Sequence, residues 1–222
     1  MRRFATVGMA VALKDLRSEA RGRELVPALA QFAVLALVIA NFAFDIDRSN
    51  AARTAPGILW LALVFMGLLA FGRAFASERE MGSLEALLLT PAPAAAIFAG
   101  KAVAAALFLV ICEAVLVPGL AIFFAVPITG PLVGAVLLAT VGLAALGTLF
   151  GAIAAQTRAR EALLPVLALP LWVPYAIVGG RAVQLAMGGG APAGDQSLML
   201  LAVLDILFVV VALAVAPLVL HE

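Results

Sequence analysis

Two carboxylates, Glu113 and Asp205, sit inside long apolar runs, and few other residues of the chain are equipped for chemistry. An ionised carboxylate in hydrocarbon is costly, so such groups usually face a bundle interior and there pair or take up a proton. They admit two readings, a proton or substrate site or a pair of interhelical hydrogen-bonding contacts, and no intramembrane Lys or Arg offers an obvious counter-ion. The single histidine, His221, is the penultimate residue and has no partner for ligating metal or haem. Cys112 is the only cysteine, which excludes an intrachain disulfide, a CxxC redox pair and a cysteine-built zinc site; within its apolar run it reads as a small buried thiol. No GxxxxGK[ST] phosphate loop, HExxH, GxSxG or CxxCH motif occurs. An intramembrane enzyme therefore has few candidates for acid, base or nucleophile, and no metal site or directly bound cofactor is expected.

The most distinctive polar interruption runs from Ser77 to Pro93, SEREMGSLEALLLTPAP. Ser77 is placed to cap a helix, with Glu78 and Glu80 in its first turn, where the positive end of the helix dipole favours carboxylates. Met81, Leu84 and Leu88 recur at i, i+3 and i+7 as one apolar stripe, while Glu78, Arg79 and Glu85 fall elsewhere around the axis. Pro91 and Pro93 end it, since neither can donate the next helical hydrogen bond. Such a helix, hung between two membrane spans, is a handle for another protein.

The elements that carry these residues follow from composition. The 222 residues are 65% hydrophobic and 12% charged, with a mean hydropathy of +1.18, well beyond the apolar content of ordinary soluble domains. The reading is an all-α integral membrane protein. A bilayer crossing takes roughly 20 apolar residues. Six segments qualify, approximately 25–44, 56–76, 94–117 (running on toward Val126), 131–155, 162–180 and 198–220, forming one transmembrane domain over 25–222. Residues 1–24 place Phe4, Val7 and Val11 against Lys14, Asp15, Arg17, Arg21 and Arg23, as in an amphipathic helix lying in the membrane interface. With the N-terminus inside, eleven Lys and Arg fall on the inner side and three, Arg48, Arg53 and Arg181, on the outer. The positive-inside rule then puts both termini, the Ser77–Pro93 helix and the polar knuckle Gln156–Glu161, with Arg158 and Arg160, in the cytoplasm. The net charge of +1 and the lack of a basic run with interleaved aromatics offer nothing to nucleic acid.

The fifth span contains Pro165, Pro170 and Pro174, then Gly179 and Gly180. Interior prolines bend a helix and free carbonyls that neighbouring helices or water must satisfy, so this span is expected to be kinked and packed against protein. Gly134, Gly142, Gly147 and Gly151 in the fourth span are expected to permit close helix contact. No internal repeat of the kind built into inverted-repeat carriers is evident.

Four stretches together resemble the CcmB family, the haem exporter protein B membrane subunits of the cytochrome c maturation system. They are APGILW (Ala55–Trp60) opening the second span, GSLEALLLTPAP (Gly82–Pro93), Lys101 at the start of the third span, and LPVLALPLWVP (Leu164–Pro174) in the fifth. The resemblance covers nearly the whole chain. It implies a six-span ABC-type permease half in the cell inner membrane, present in two copies. Its implied partners are a CcmA-like ATPase that binds the ATP, CcmC-like and CcmD-like membrane proteins and the periplasmic haem chaperone CcmE. Ser77–Pro93 would be the coupling helix seated in a groove of the ATPase. Glu78, Arg79, Met81, Gly82, Ser83, Leu84, Glu85 and Leu88, with Arg158 and Arg160, would form the interface. ATP hydrolysis would drive haem delivery to CcmE or release of the haem-loaded chaperone, with haem as cargo. The alternatives are an ABC permease for another cargo, a proton-coupled carrier using Glu113 and Asp205, and a structural scaffold.

Overall fold

The computed structural model describes residues 2–44, 50–75, 92–157, 160–188 and 195–220. Within them lie seven α-helices: α1 Arg2–Gly22, α2 Leu25–Ala43, α3 Ala51–Arg73, α4 Ala94–Phe124, α5 Gly130–Ala155, α6 Arg160–Met187 and α7 Ser197–Leu220. Six of them, α2 to α7, are long and apolar enough to cross a membrane, so the all-α, six-span reading holds. Two boundaries differ from expectation, at the start of α3 and the end of α6, while α4 runs on past its first apolar stretch as expected. Helix α3 begins at Ala51, five residues before Pro56, because Ala51 and Ala55 are buried against the bundle while Arg53 is exposed, a helical pattern that continues into the span. Helix α4 continues through Pro118 to Phe124 and ends only where Ala125 adopts a left-handed conformation, φ 53°. Helix α6 runs past Gly179–Gly180 to Met187, because Ala182, Val183, Ala186 and Met187 remain on its buried face.

Helix α5 is the central post. Every residue from Gly142 to Leu149 is buried, as in a helix with neighbours on all sides. The close approaches depend on missing side chains: a Cβ on Gly147 would run into the Phe71 ring of α3, and one on Gly142 into the Tyr175 hydroxyl and Asp205. Gly134, by contrast, has open space where a side chain would be, so it serves no close contact. Aromatic edges fill the larger gaps, with Trp60 against Tyr175 (centroids 5.7 Å), Tyr175 against Phe208 (5.4 Å) and Phe71 against Trp172 (6.0 Å).

The three prolines of α6 do not enter this core. The buried face of α6 runs through Leu164, Ala168, Trp172, Tyr175 and Val183, while Pro170 and Pro174 are exposed and Pro165 is half-buried. The span is packed against protein as expected, but through the face opposite Pro170 and Pro174, and one helix runs through all three prolines.

Local caps join the helices. Thr129 caps α5, accepting from the Leu132 N–H at 3.3 Å, and its hydroxyl donates to the Ala186 carbonyl at the end of α6 at 3.1 Å. Asp195 leads into α7: its Oδ1 accepts from the Ser197 N–H at 2.9 Å and from the Ser197 hydroxyl at 2.5 Å, and Arg181 lies 3.1 Å from its Oδ2. The Ser197 bonds, then Arg181, hold the Asp195 carboxyl below the usual aspartate range.

Candidate functional site

Helix α1 packs along the beginning of α4. Val11 and Ala12 are buried, and the two backbones approach at Gly8 and Gly100, where a Cβ on Gly100 would meet the Val11 Cβ at 2.8 Å. The rest of α1 is largely exposed, so one narrow stripe docks while Arg3, Lys14, Arg17 and Arg21 stay exposed. After Gly22 the chain turns at Arg23, φ 52°, and the Glu19 carboxylate accepts from the Val26 N–H at 2.8 Å, tying the end of α1 to the start of α2.

Lys101 lies under this docked helix. It stands in the apolar run AAAIFAGKAVAAALF of α4 and is only 2% exposed. A buried ammonium must be paired and hydrogen-bonded, and here α1 and the segment just past α3 supply the partners. Nζ lies 3.2 Å from Asp15 Oδ2 on α1, donates to the Ala74 carbonyl just past α3 at 2.6 Å, and sits 4.9 Å from the centre of the Phe75 ring. Lys14 also lies 3.2 Å from Asp15, and Arg73 is paired with Glu24 at 2.7 Å. Asp15, Glu24, Arg73 and Lys101 border a cavity of about 360 Å³ that opens between α1, the start of α2, α3 and α4. Ala74 and Phe75 precede the undescribed stretch 76–91 and α4 follows it, so Lys101 draws together the two ends from which that stretch emerges. In the sequence Lys101 reads as an inner-side positive charge and is one of the features of the family resemblance, with no partner assigned. The usable signal was a lysine within an apolar helix, which requires a partner.

Most of the expected interface residues lie in the undescribed stretches. Glu78, Arg79, Met81, Gly82, Ser83, Leu84, Glu85, Leu88 and Arg158 are outside the described residues, and Arg160 opens α6 with its side chain likewise outside them.

The two intramembrane carboxyls are both buried, each 4% exposed, and each meets a hydroxyl on another helix. Glu113 of α4 is hydrogen-bonded through Oε1 to the Thr140 hydroxyl of α5, which also lies 3.0 Å from the Val136 carbonyl. Asp205 of α7 lies 2.5 Å through Oδ1 from the Tyr175 hydroxyl of α6, itself 2.9 Å from the Leu138 carbonyl of α5. Interhelical hydrogen bonds are thus the arrangement found, and the two carboxyls contact different partners. Cys112 is fully buried, its sulfur 3.8 Å from the Val26 carbonyl. Among the described residues no three His, Cys, Asp or Glu side chains converge as a metal site.

A family model described as CcmB protein matches residues 6–221, almost the whole chain that forms this bundle. The chain belongs to the CcmB family. Curated relatives in the family agree in length as well as sequence. "Heme exporter protein B" of Paracoccus denitrificans is 34% identical over 188 residues, 82% of this chain and 85% of that protein. The protein of the same name from Bradyrhizobium diazoefficiens is 32% identical over 193 residues, 82% of this chain and 85% of its own length. That of Rhodobacter capsulatus is 32% identical over 160 residues, 71% and 73%. As a CcmB-family chain with six membrane-capable helices, the protein is a multi-pass membrane protein of a haem-exporter family.

Proposed function

We propose that the chain is the permease subunit of an ABC-type complex for c-type cytochrome biogenesis. In this reading it is non-catalytic and couples ATP hydrolysis on a separate CcmA-like ATPase to haem export or to release of the haem-loaded chaperone CcmE. The observation that carries the proposal is CcmB-family membership over nearly the full chain, with relatives named as haem exporters. Two copies would sit in the inner membrane with both termini in the cytoplasm, beside CcmC-like and CcmD-like proteins. The segment around Glu78–Leu88 would dock on the ATPase, Leu84 and Leu88 seating it, Gly82 allowing close approach and Glu85 pairing with a basic residue. Arg158 and Arg160 would contribute from the next inner loop. The Lys101 cluster supports this reading, because it braces both ends of that segment against α1 and so gives force on the segment a rigid route into the spans. Pro165, Pro170 and Pro174 would bend α6 where it faces lipid or a second subunit.

The test is affinity purification of the tagged protein from native membranes in mild detergent, with mass spectrometry of its partners and an absorption spectrum for haem. Recovery of an ABC ATPase together with cytochrome c maturation proteins supports the proposal. Recovery of other intact membrane complexes without an ATPase overturns it. Replacing Leu84 and Leu88 together by Asp is expected to abolish recovery of the ATPase, and an unchanged complex would remove the coupling role from this segment.

A further inference from the structure

Two hydroxyls inside the bundle touch more acceptors than they have protons. Tyr175 Oη lies 2.5 Å from Asp205 Oδ1, 2.9 Å from the Leu138 carbonyl and 3.4 Å from the Ala139 carbonyl. Thr140 Oγ1 lies 3.0 Å from the Val136 carbonyl and in hydrogen-bond contact with Glu113 Oε1. A hydroxyl has one proton to give, a carbonyl has none, and an ionised carboxylate has none. Were the carboxyls ionised, each would take the hydroxyl proton, and the carbonyl at 2.9 or 3.0 Å would face an oxygen lone pair with no hydrogen between. If the carboxyl carries a proton, the conflict disappears: the acid donates to the hydroxyl and the hydroxyl donates to the carbonyl. For Thr140 that second bond is the ordinary back-bond of a helical threonine to the carbonyl four residues earlier.

The other carboxyl oxygens point the same way. Glu113 Oε2 and Asp205 Oδ2 are buried and have no hydrogen-bond partner, and none of the ion pairs among the described residues involves either group. A bare oxygen of an ionised carboxylate is severely penalised in an apolar interior, whereas the carbonyl oxygen of a neutral acid is a much weaker demand.

We propose that Glu113 and Asp205 are neutral carboxylic acids acting as hydrogen-bond donors in two parallel relays, Glu113 to Thr140 to the Val136 carbonyl and Asp205 to Tyr175 to the Leu138 carbonyl. Both relays end on α5, at carbonyls two residues apart. Helix α4 is thereby pinned to one turn of the central post, and α6 and α7 to the same turn. The acids are positioning residues: they hold four spans in register through hydroxyls, and neither needs a counter-ion. This holds whatever the cargo, so it stands apart from the permease assignment.

The test is infrared spectroscopy of the purified protein in lipid nanodiscs at neutral pH, with ¹³C-aspartate and ¹³C-glutamate labelling. Solvent-exposed acids are ionised there, so any carboxylic-acid C=O band that shifts with a label comes from a buried neutral acid. One aspartate and one glutamate band are expected in the unmutated protein. Asp205→Asn and Glu113→Gln, which keep a donor, should fold and lose their respective bands. Tyr175→Phe should shift only the aspartate band and Thr140→Val only the glutamate band, an effect that mere helix packing would not produce. Absence of label-sensitive acid bands from the unmutated protein overturns the proposal without recourse to any variant, as do bands that ignore Tyr175→Phe and Thr140→Val.

Discussion

Removing the Lys101 ammonium tests whether α1 is anchored by charge or only by its apolar stripe. At an effective dielectric constant of about 20, unit charges separated by the 3.2 Å of the Lys101–Asp15 pair attract by about 5 kcal/mol. Desolvating the buried ammonium offsets several kcal/mol of this, so the measurable effect is set by what its removal leaves behind. Asp15 is 19% exposed and keeps Lys14 at 3.2 Å, so it suffers less than the ~3–5 kcal/mol typical when one partner of a fully buried pair is removed. The Ala74 carbonyl loses a charge-assisted hydrogen bond worth about 1.5–3 kcal/mol. Lys101→Met is therefore expected to destabilise the protein by about 3 kcal/mol, with about 1 kcal/mol of coupling to Asp15→Asn. Equilibrium unfolding in lipid–detergent mixed micelles of the parent, both single variants and the double variant closes the cycle. A parallel reading comes from Val11→Cys, whose thiol lies under α1 and should become more reactive to a water-soluble reagent when Lys101 is Met. Strict additivity of the two substitutions, with no gain in Val11→Cys reactivity, would refute the electrostatic anchor.

Other positions give sharper local tests. Ala125→Gly removes a Cβ from a left-handed residue and is expected to stabilise the end of α4 by about 1 kcal/mol, read as a raised unfolding midpoint; an unchanged or lowered midpoint contradicts the strain. Gly147→Leu drives a side chain into the Phe71 ring, and the overpacking is expected to lower stability by at least about 1–3 kcal/mol, with Gly134→Leu, facing open space, as the control that should not. Asp195→Asn loses a carboxylate whose folded-state ionisation is favoured by Ser197 and Arg181. A depressed folded-state value stabilises fully above the unfolded aspartate range near about 3.9 and is lost as pH falls through the folded value. The stability gap between the parent and Asp195→Asn should thus be constant at neutral pH and close in strong acid. A gap that closes nearer neutrality would contradict the assignment.

The helical architecture could be read from residue order because bilayer crossing demands only length and apolarity, and runs such as Ser197–Leu220 meet that demand without tertiary information. The polar stretch around Glu78–Leu88 stands out from the apolar runs on either side for the same reason: charge is conspicuous against hydrocarbon. Element ends were harder, as at Gly179–Gly180, where two glycines suggest a stop but the packing of Val183 and Met187 carries α6 onward.

Sequence alone thus determined how many membrane-capable helices there are and that Glu113 and Asp205 must be hidden from lipid. Only the tertiary structure decided what they meet. In water, an amphipathic helix declares its inward face by hydrophobic periodicity. In lipid the outward face is apolar too, so the phase of each helix about its axis is nearly silent in the sequence. That rotation is settled when Gly142 and Gly147 admit Tyr175, Asp205 and Phe71, and when Lys101 finds Asp15, 86 residues away.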